Sequence, residues 1–285
     1  MTALKIAVTG AAGFIGRHVL DELMRHNVEI VATTRDVTRL ADRKRVRVVE
    51  LDIMESTPDI FKRLEKPDVL IHLAWSGLPN YQSLHHFSSE LPAQFNFLRR
   101  AIEGGLASLV VAGTCFEYGM QSGCLSENMI TLPDNPYGFA KDALRKQIGF
   151  LKRSCAFNLA WARLFYMYGE GQPKTSLYSQ LQDAAKNGES IFCMSGGEQL
   201  RDYLPISDVA QQIVALALCG RDVGIVNVCS GNPISVRALV ERWMCEKGWN
   251  MSLKLGHYPY PVYEPLAFWG DATRIKNILN EQCAF

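Results

Sequence analysis

Apolar and polar positions alternate in blocks along the first two-thirds of the chain. The opening run LKIAVTG is apolar and of strand length, and the stretch after it, FIGRHVLDELMRH, repeats apolar residues at helical spacing. The rhythm then recurs. EIVATTR predicts a second strand, VRVVELD a third and PDVLIHLA a fourth. ELPAQFNFLRRAIEGG predicts a helix, ASLVVAGT a fifth strand, NPYGFAKDALRKQIGFLKRS a long helix, and FNLAWARLFYMYG a sixth strand with its exit. Strands this apolar, separated by helices, predict an α/β fold: a doubly wound parallel sheet covered on both faces. One more strand is expected from the C-terminal half. After Gly169 the rhythm breaks into loops rich in Gly, Pro, Ser and Gln, and a helix returns at ISDVAQQIVALALCG. The segment YPYPVYEPLAFWG carries too many prolines for a regular helix. A smaller C-terminal lobe laid against the sheet is the expectation.

Composition narrows the class of partner. A chain of 285 residues that is 48% hydrophobic can bury a sizeable core and a second lobe. Its formal net charge of +1 gives no global field for nucleic acid or an anionic membrane. The eight cysteines, Cys115, Cys124, Cys155, Cys193, Cys219, Cys229, Cys245 and Cys283, are scattered, with no metal-ligand spacing. They read as reduced thiols, and no metal site is expected. Met1 leads directly into a strand, and no apolar run approaches 18 residues, so a cytoplasmic protein without a membrane segment is expected.

The first chemistry-bearing feature is VTGAAGFIG, with Gly10, Gly13 and Gly16 between a strand and a helix. Gly10 suits a tight turn, Gly13 lets backbone approach a pyrophosphate, and Gly16 lets the helix pack close to the sheet. The helix start, at Phe14 and Ile15, would aim free N–H groups at the phosphates. The second strand ends in Thr33, Thr34 and Arg35 without a carboxylate. Arg35 therefore suits the 2′-phosphate of NADPH, with Arg39, Arg43, Lys44 and Arg45 following. Asp52 either bonds the adenine amine or caps its own turn. A dinucleotide-binding domain is expected over 1–169, with 203–228 returning to it, and a substrate lobe over 170–202 and 229–285. The second feature is NPYGFAK, which sets Tyr137 and Lys141 four apart on one helix face, with Pro136 in the first turn and Asp134 or Asn135 as cap. An ammonium beside a phenol favours the phenolate, and so would draw the Tyr137 pKa towards a working range.

With TGAAGFIG, HLAW, GTCFEYG, PYGFAK, RLFYMYGEGQ, GGEQLRDYLPISDVA and GIVNVCSGNPISV in place, the chain resembles an extended short-chain dehydrogenase/reductase of the branch acting on nucleotide-activated sugars. The resemblance runs nearly end to end and implies a Rossmann-type sheet. It implies Thr114, Tyr137 and Lys141 as the catalytic set, with Thr114 donating to the oxygen at the reacting carbon. Ile53, Leu73 and Ala74 would join the cofactor contacts, along with Tyr137 and Lys141. Arg201 would clamp the nucleotide diphosphate, or else pair with Asp202 or Asp208; Ser176, Leu177 and Tyr166 would lie near the substrate. Trp75 would shape the sugar site or pack in the interior, His72 would sit in the core, and His85 and His86 receive no role. A homodimer through the helices ELPAQFNFLRRAIEGG and PYGFAKDALRKQIGFLKRS is implied as well.

Two departures narrow the reaction. Related dehydratases carry Asp-Glu after the Thr, where this chain has Cys115 and Phe116, and Glu117 falls on the opposite side of the strand end. Many 4-epimerases have an Asn where Tyr166 stands. The favoured expectation is an NADPH-dependent reductase of the 4-keto group of a nucleotide-linked 4-keto-6-deoxyhexose. A 4-epimerase with tightly bound NAD is the alternative, and a non-catalytic dinucleotide sensor a more distant one.

Overall fold

A computed structural model describes residues 3–55, 59–260 and 264–282 of the chain. Seven strands form one parallel sheet: β1 (Leu4–Thr9), β2 (Val28–Thr34), β3 (Val46–Glu50), β4 (Val69–His72), β5 (Ser108–Thr114), β6 (Asn158–Leu164) and β7 (Gly224–Val228). The spatial order is β3-β2-β1-β4-β5-β6-β7, so the winding reverses between β1 and β4. This is the Rossmann-type arrangement expected, with the seventh strand supplied by GIVNV.

Strand alternation divides the interior into two cores. Ile6, Val8, Ile30, Ala32, Val69, Ile71, Val110 and Val226 face one side, under the helices α1 (Phe14–Leu23) and α5 (Ile206–Leu218). Ala7, Val31, Leu70, Leu109, Val111 and Trp161 face the other, under α2 (Leu91–Glu103) and α3 (Pro136–Leu151). Both faces of every central strand are thereby removed from water, which is why these strands are apolar throughout. Asn135 is the residue that caps α3, its Oδ1 accepting from the Gly138 amide at 2.8 Å.

A third core lies outside the sheet. Tyr178 and Leu181 of α4 (Leu177–Lys186) meet Leu239, Val240 and Trp243 of α6 (Val236–Lys247), with Phe192 and Met194 beside them. The sixth strand ends at Leu164, and its expected exit turns the Phe165 ring into the first core and pairs Tyr166–Tyr168 with Tyr203–Pro205. One detail departs from the sequence reading. The C-terminal helix α7 (Thr273–Gln282), expected in the lobe, buries Ile275 and Ile278 in the first core of the main sheet. Its apolar stripe has a prepared surface there beside α5 and β7. The seven cysteines among the described residues are unbridged, and no group of metal-ligating side chains occurs among those residues; Cys283 lies outside them. No helix among the described residues is long and apolar enough to cross a membrane.

Candidate active site

The turn from β1 into α1 explains two of its glycines by contact alone. Gly10 has φ of +68°, and a Cβ there would stand 2.8 Å from the Ala74 amide nitrogen, where the chain leaves β4. A Cβ on Gly16 would lie 2.3 Å from the Gly10 carbonyl oxygen. Gly13 is less crowded. It is the N-cap of α1 and offers no side chain to the first turn, so nothing of its own covers the amides of Phe14, Ile15 and Gly16. This bare, amide-lined helix start fits a pyrophosphate.

A cleft of about 240 Å³ opens over the carboxyl ends of the strands, at the reversal between β1 and β4. Gly10 and Gly13 line its middle. Thr33, Thr34, Arg35, Asp52 and Ile53 line one end, and Leu73, Ala74, Trp75, Ser76, Glu90 and Gln94 the other. Arg39 also borders the first end, where its guanidinium donates to the Ala12 carbonyl at 3.1 Å. The sequence reading had Arg39 only as part of a basic run. Asp36, one residue past Arg35, does not turn into the cleft; it accepts from the Thr38 amide and hydroxyl, which hold its carboxyl below the usual range. Asp52 both lines the cleft and caps its own turn through the Met54 amide at 2.9 Å.

Thr114, Tyr137 and Lys141 converge beyond Trp75. The Thr114 side chain lies close enough to the Tyr137 hydroxyl to pull its pKa slightly down. Around the phenol stand Trp75, Tyr81, His86 and Phe116, with ring centroids 5.9, 5.6, 5.3 and 6.4 Å away. Burial in this box pushes the Tyr137 phenol well above the ordinary tyrosine value, with the neighbouring Tyr81 and Glu117 adding to it. The expected lowering by Lys141 is therefore not what the geometry produces. The Lys141 ammonium donates to the Ala112 carbonyl at 2.8 Å and lies 3.9 Å over the Trp75 ring. Its own pKa is brought down to about 7 by burial, against the pull of Glu117 and Glu90. A lysine so desolvated loses much of the charge that would have acted on its neighbour.

Glu117 does turn away from the Phe116 side, but not by strand alternation: β5 ends at Thr114, and Cys115–Tyr118 forms a 3-10 turn. Glu117 accepts from the Thr114 amide at 3.0 Å, from Trp161 Nε1 at 2.8 Å and from Arg163 Nε at 2.8 Å, and forms a reciprocal cap with Thr114. This fully buried carboxylate fixes the end of β5. Cys115, beside it, is held as a neutral thiol by burial.

A polar chain that sequence reasoning did not find runs behind the box. His72 is buried and neutral, its pKa down to about 3 by desolvation. It donates through Nε2 to Gln94 Oε1 at 2.6 Å and accepts at Nδ1 from the Thr9 hydroxyl at 2.9 Å. Gln94 donates to Glu90 at 2.8 Å, and Ser76 donates to the other Glu90 oxygen. His86, left without a role by the sequence, accepts from Trp75 Nε1 at 3.1 Å and donates to the Asn80 carbonyl at 2.8 Å, which anchors the indole. Glu90 and Gln94 meet through helical spacing, but only the fold brings residues 9, 72 and 76 to them.

A second cavity, also about 240 Å³, is lined by Tyr166, Leu177 and Arg201, three of the residues that the resemblance puts near the substrate. Ser176 instead caps α4, accepting from the Ser179 amide at 3.3 Å. Arg201 pairs with neither Asp202 nor Asp208: its partner is Glu264 at 2.9 Å, which also accepts from the Tyr166 hydroxyl. Asp202 is held elsewhere, by the Ser230 and Gly231 amides. Glu264 lies in the proline-rich tail, where no periodic pattern marks it.

A profile of the NAD dependent epimerase/dehydratase family matches residues 6–229. The chain is 28% identical to dTDP-6-deoxy-L-talose 4-dehydrogenase (NAD(+)) of Aggregatibacter actinomycetemcomitans, over 94% of this chain and 99% of the relative. It is also 28% identical to an uncharacterized UDP-glucose epimerase, YtcB, of Bacillus subtilis, over 97% of this chain and 92% of the relative. Among solved structures, MoeE5 in complex with UDP-glucuronic acid and NAD superposes with a TM-score of 0.82 at 28% identity, covering 97% of this chain and 92% of that one.

Proposed function

Because the chain belongs to the NAD dependent epimerase/dehydratase family, we propose that it reduces the 4-keto group of a nucleotide-linked 4-keto-6-deoxyhexose, with NADPH as donor. The observation that carries this reading is the surroundings of Tyr137: one hydroxyl pair, Thr114 and Tyr137, inside an aromatic box, with Glu117 turned away into its own clamp. A reaction that adds a single proton needs one such group. Eliminating water needs a second, and Cys115 and Phe116 cannot serve. The raised pKa keeps the phenol protonated at neutral pH, the form that gives a proton to an alkoxide at the sugar's C4 oxygen. Thr114 donates to that same oxygen and polarises the carbonyl. Lys141 holds the nicotinamide ribose, and Gly13 with the first turn of α1 holds the pyrophosphate. The dinucleotide supplies the hydride when bound.

Three further features support the finer reading. Arg35 and Arg39 border the same end of the cleft, which suits a 2′-phosphate. Trp75, Tyr81 and Phe116 offer apolar surface to a C6 methyl. The relative named as a 6-deoxy-L-talose 4-dehydrogenase is similar over nearly its whole length. The similarity to a relative named as a UDP-glucose epimerase favours a 4-epimerase as second reading. The two differ in cofactor turnover. The purified protein, given dTDP- or UDP-linked 4-keto-6-deoxyhexose and NADPH or NADH, is expected to consume one reduced cofactor per sugar, faster with NADPH. Tyr137→Phe is expected to slow this by at least about a hundredfold while still binding cofactor. Interconversion of 4-epimers with no net absorbance change at 340 nm would instead establish the epimerase.

A further inference from the structure

Two carboxylates line the dinucleotide cleft among the described residues: Asp52 at the end with Arg35, and Glu90 at the end with Trp75. Asp52 caps a turn. Glu90 has no such local duty. It ends the π-helical turn His86–Glu90 just before α2, and only 1% of it is exposed.

Burying a carboxylate is costly, and an amide of the same shape would satisfy much of the same hydrogen bonding. Here the surroundings keep the charged form. Burial works against ionisation, but the hydrogen bonds from Ser76 and Gln94 outweigh it and hold the carboxyl below the ordinary glutamate range. The chain behind it is oriented to do so: His72, neutral, donates to the Gln94 carbonyl, which leaves the Gln94 amide to donate to Glu90. The other titratable groups facing Glu90 are His85, 3.3 Å away, the neutral His72, His86 and Lys141.

We propose that Glu90 is a positioning charge for the nicotinamide: it makes this cleft favour the oxidised, cationic form of the dinucleotide over the neutral reduced form. The proposal rests on reading the cleft as the dinucleotide site. With the pyrophosphate at Gly13 and the adenosine beside Thr34 and Arg35, the nicotinamide falls at the end formed by Ala74, Trp75 and Glu90, next to Tyr137 and Lys141. An oxidised nicotinamide ring carries a positive charge that the reduced ring lacks. A fixed negative charge several ångströms away in a dry site distinguishes the two. Tighter binding of the oxidised form lowers the midpoint potential of the bound cofactor, which suits a site that reduces its substrate.

The test is calorimetric titration of the whole protein with NAD⁺, NADH, NADP⁺ and NADPH, reading the ratio of oxidised to reduced dissociation constants. Glu90→Gln is expected to shift that ratio at least about tenfold towards the reduced form, the scale of one unit charge as far as about 12 Å away at an effective dielectric constant of about 20. Ser76→Thr, which keeps both the charge and the hydroxyl donor, should leave the ratio within about twofold, and Glu90→Asp should keep most of it. An unchanged ratio in Glu90→Gln overturns the proposal. Should that variant fail to fold, the wild-type ratio decides: reduced cofactor bound more than about tenfold tighter than oxidised overturns it equally. If wild type binds none of the four, the dinucleotide reading itself falls, and the proposal with it.

Discussion

Lys141 shows how far one side chain departs from its solution behaviour when the fold closes over it. Only 1% of the residue is exposed, and its ammonium donates to one carbonyl between the Trp75 indole and the Tyr137 ring, 3.9 and 5.9 Å away. Its pKa falls from 10.5 to about 7. Between those values the unfolded chain binds a proton that the folded chain has lost. Stability therefore rises with pH across that window, by at most about 1.4 kcal/mol per unit for one proton, and this contribution is flat outside it. The Lys141→Met variant removes the titrating group. The wild-type denaturation midpoint in urea, compared at pH 7 and 9, should rise relative to that of Lys141→Met. A constant difference between the two proteins would show that Lys141 does not titrate in this range. The same desolvation bears on catalysis. Tyr137 and Lys141 could be read from their spacing, but the sign of their influence on each other could not, because it depends on burial by Trp75, Tyr81 and Phe116 from distant segments.

At the scale of elements, the β1–α1 unit is the part most completely written in the local sequence. Three glycines at a spacing of three follow a strand and precede a helix, and two of them are demanded by backbone contacts under 3 Å. Gly16→Ala places its Cβ 2.3 Å from the Gly10 carbonyl and 2.7 Å from Ala11 Cα. Neither neighbour is the end of a flexible side chain, so α1 must move off β1. We expect Gly16→Ala to lower the melting temperature by several degrees, on the scale of overpacking, and to weaken dinucleotide binding at least tenfold. A variant with wild-type melting and affinity would show that the turn has room to relax. The other strands were legible for the same reason as β1, since each is short, apolar and bounded by a helix pattern. What escaped reading is decided by packing at a distance. The C-terminal helix lies on the main sheet because Ile275 and Ile278 match the surface beside α5. Glu264 gains its partners, Arg201 and Tyr166, from residues far away in the chain, and Glu90 gains Ser76 from across the cleft wall, so no local spacing announces either site.

At the scale of the whole molecule, the second face of the sheet presents an unusual exterior. Its two long helices, α2 and α3, pack side by side, and α3 carries Phe139 and Phe150 outward at 52% and 59% exposure. Ala143 and Lys146 fall between them at intervals of four, three and four residues, which makes a single stripe along α3. Phe87, from the turn before α2, meets the Phe139 ring edge-on at 6.1 Å and extends the apolar surface, with Leu84 exposed nearby. Large exposed aromatics aligned on one helix face mark an association surface more often than scattered ones do. A stripe centred on one helix is self-complementary under a two-fold axis, since each Phe139 can lie against the Phe150 end of the facing copy. The small Ala143 at the middle lets the two helices approach. We therefore predict a homodimer in which α3 packs antiparallel on its counterpart, with α2 completing a four-helix arrangement. Light scattering after size exclusion at micromolar concentration should give twice the chain mass. Phe139→Lys with Phe150→Lys should give a folded monomer, because both changes lie on exposed positions and bring like charges together across the axis. A wild-type monomer would remove the assembly, and a dimer that survives both substitutions would move it to another face.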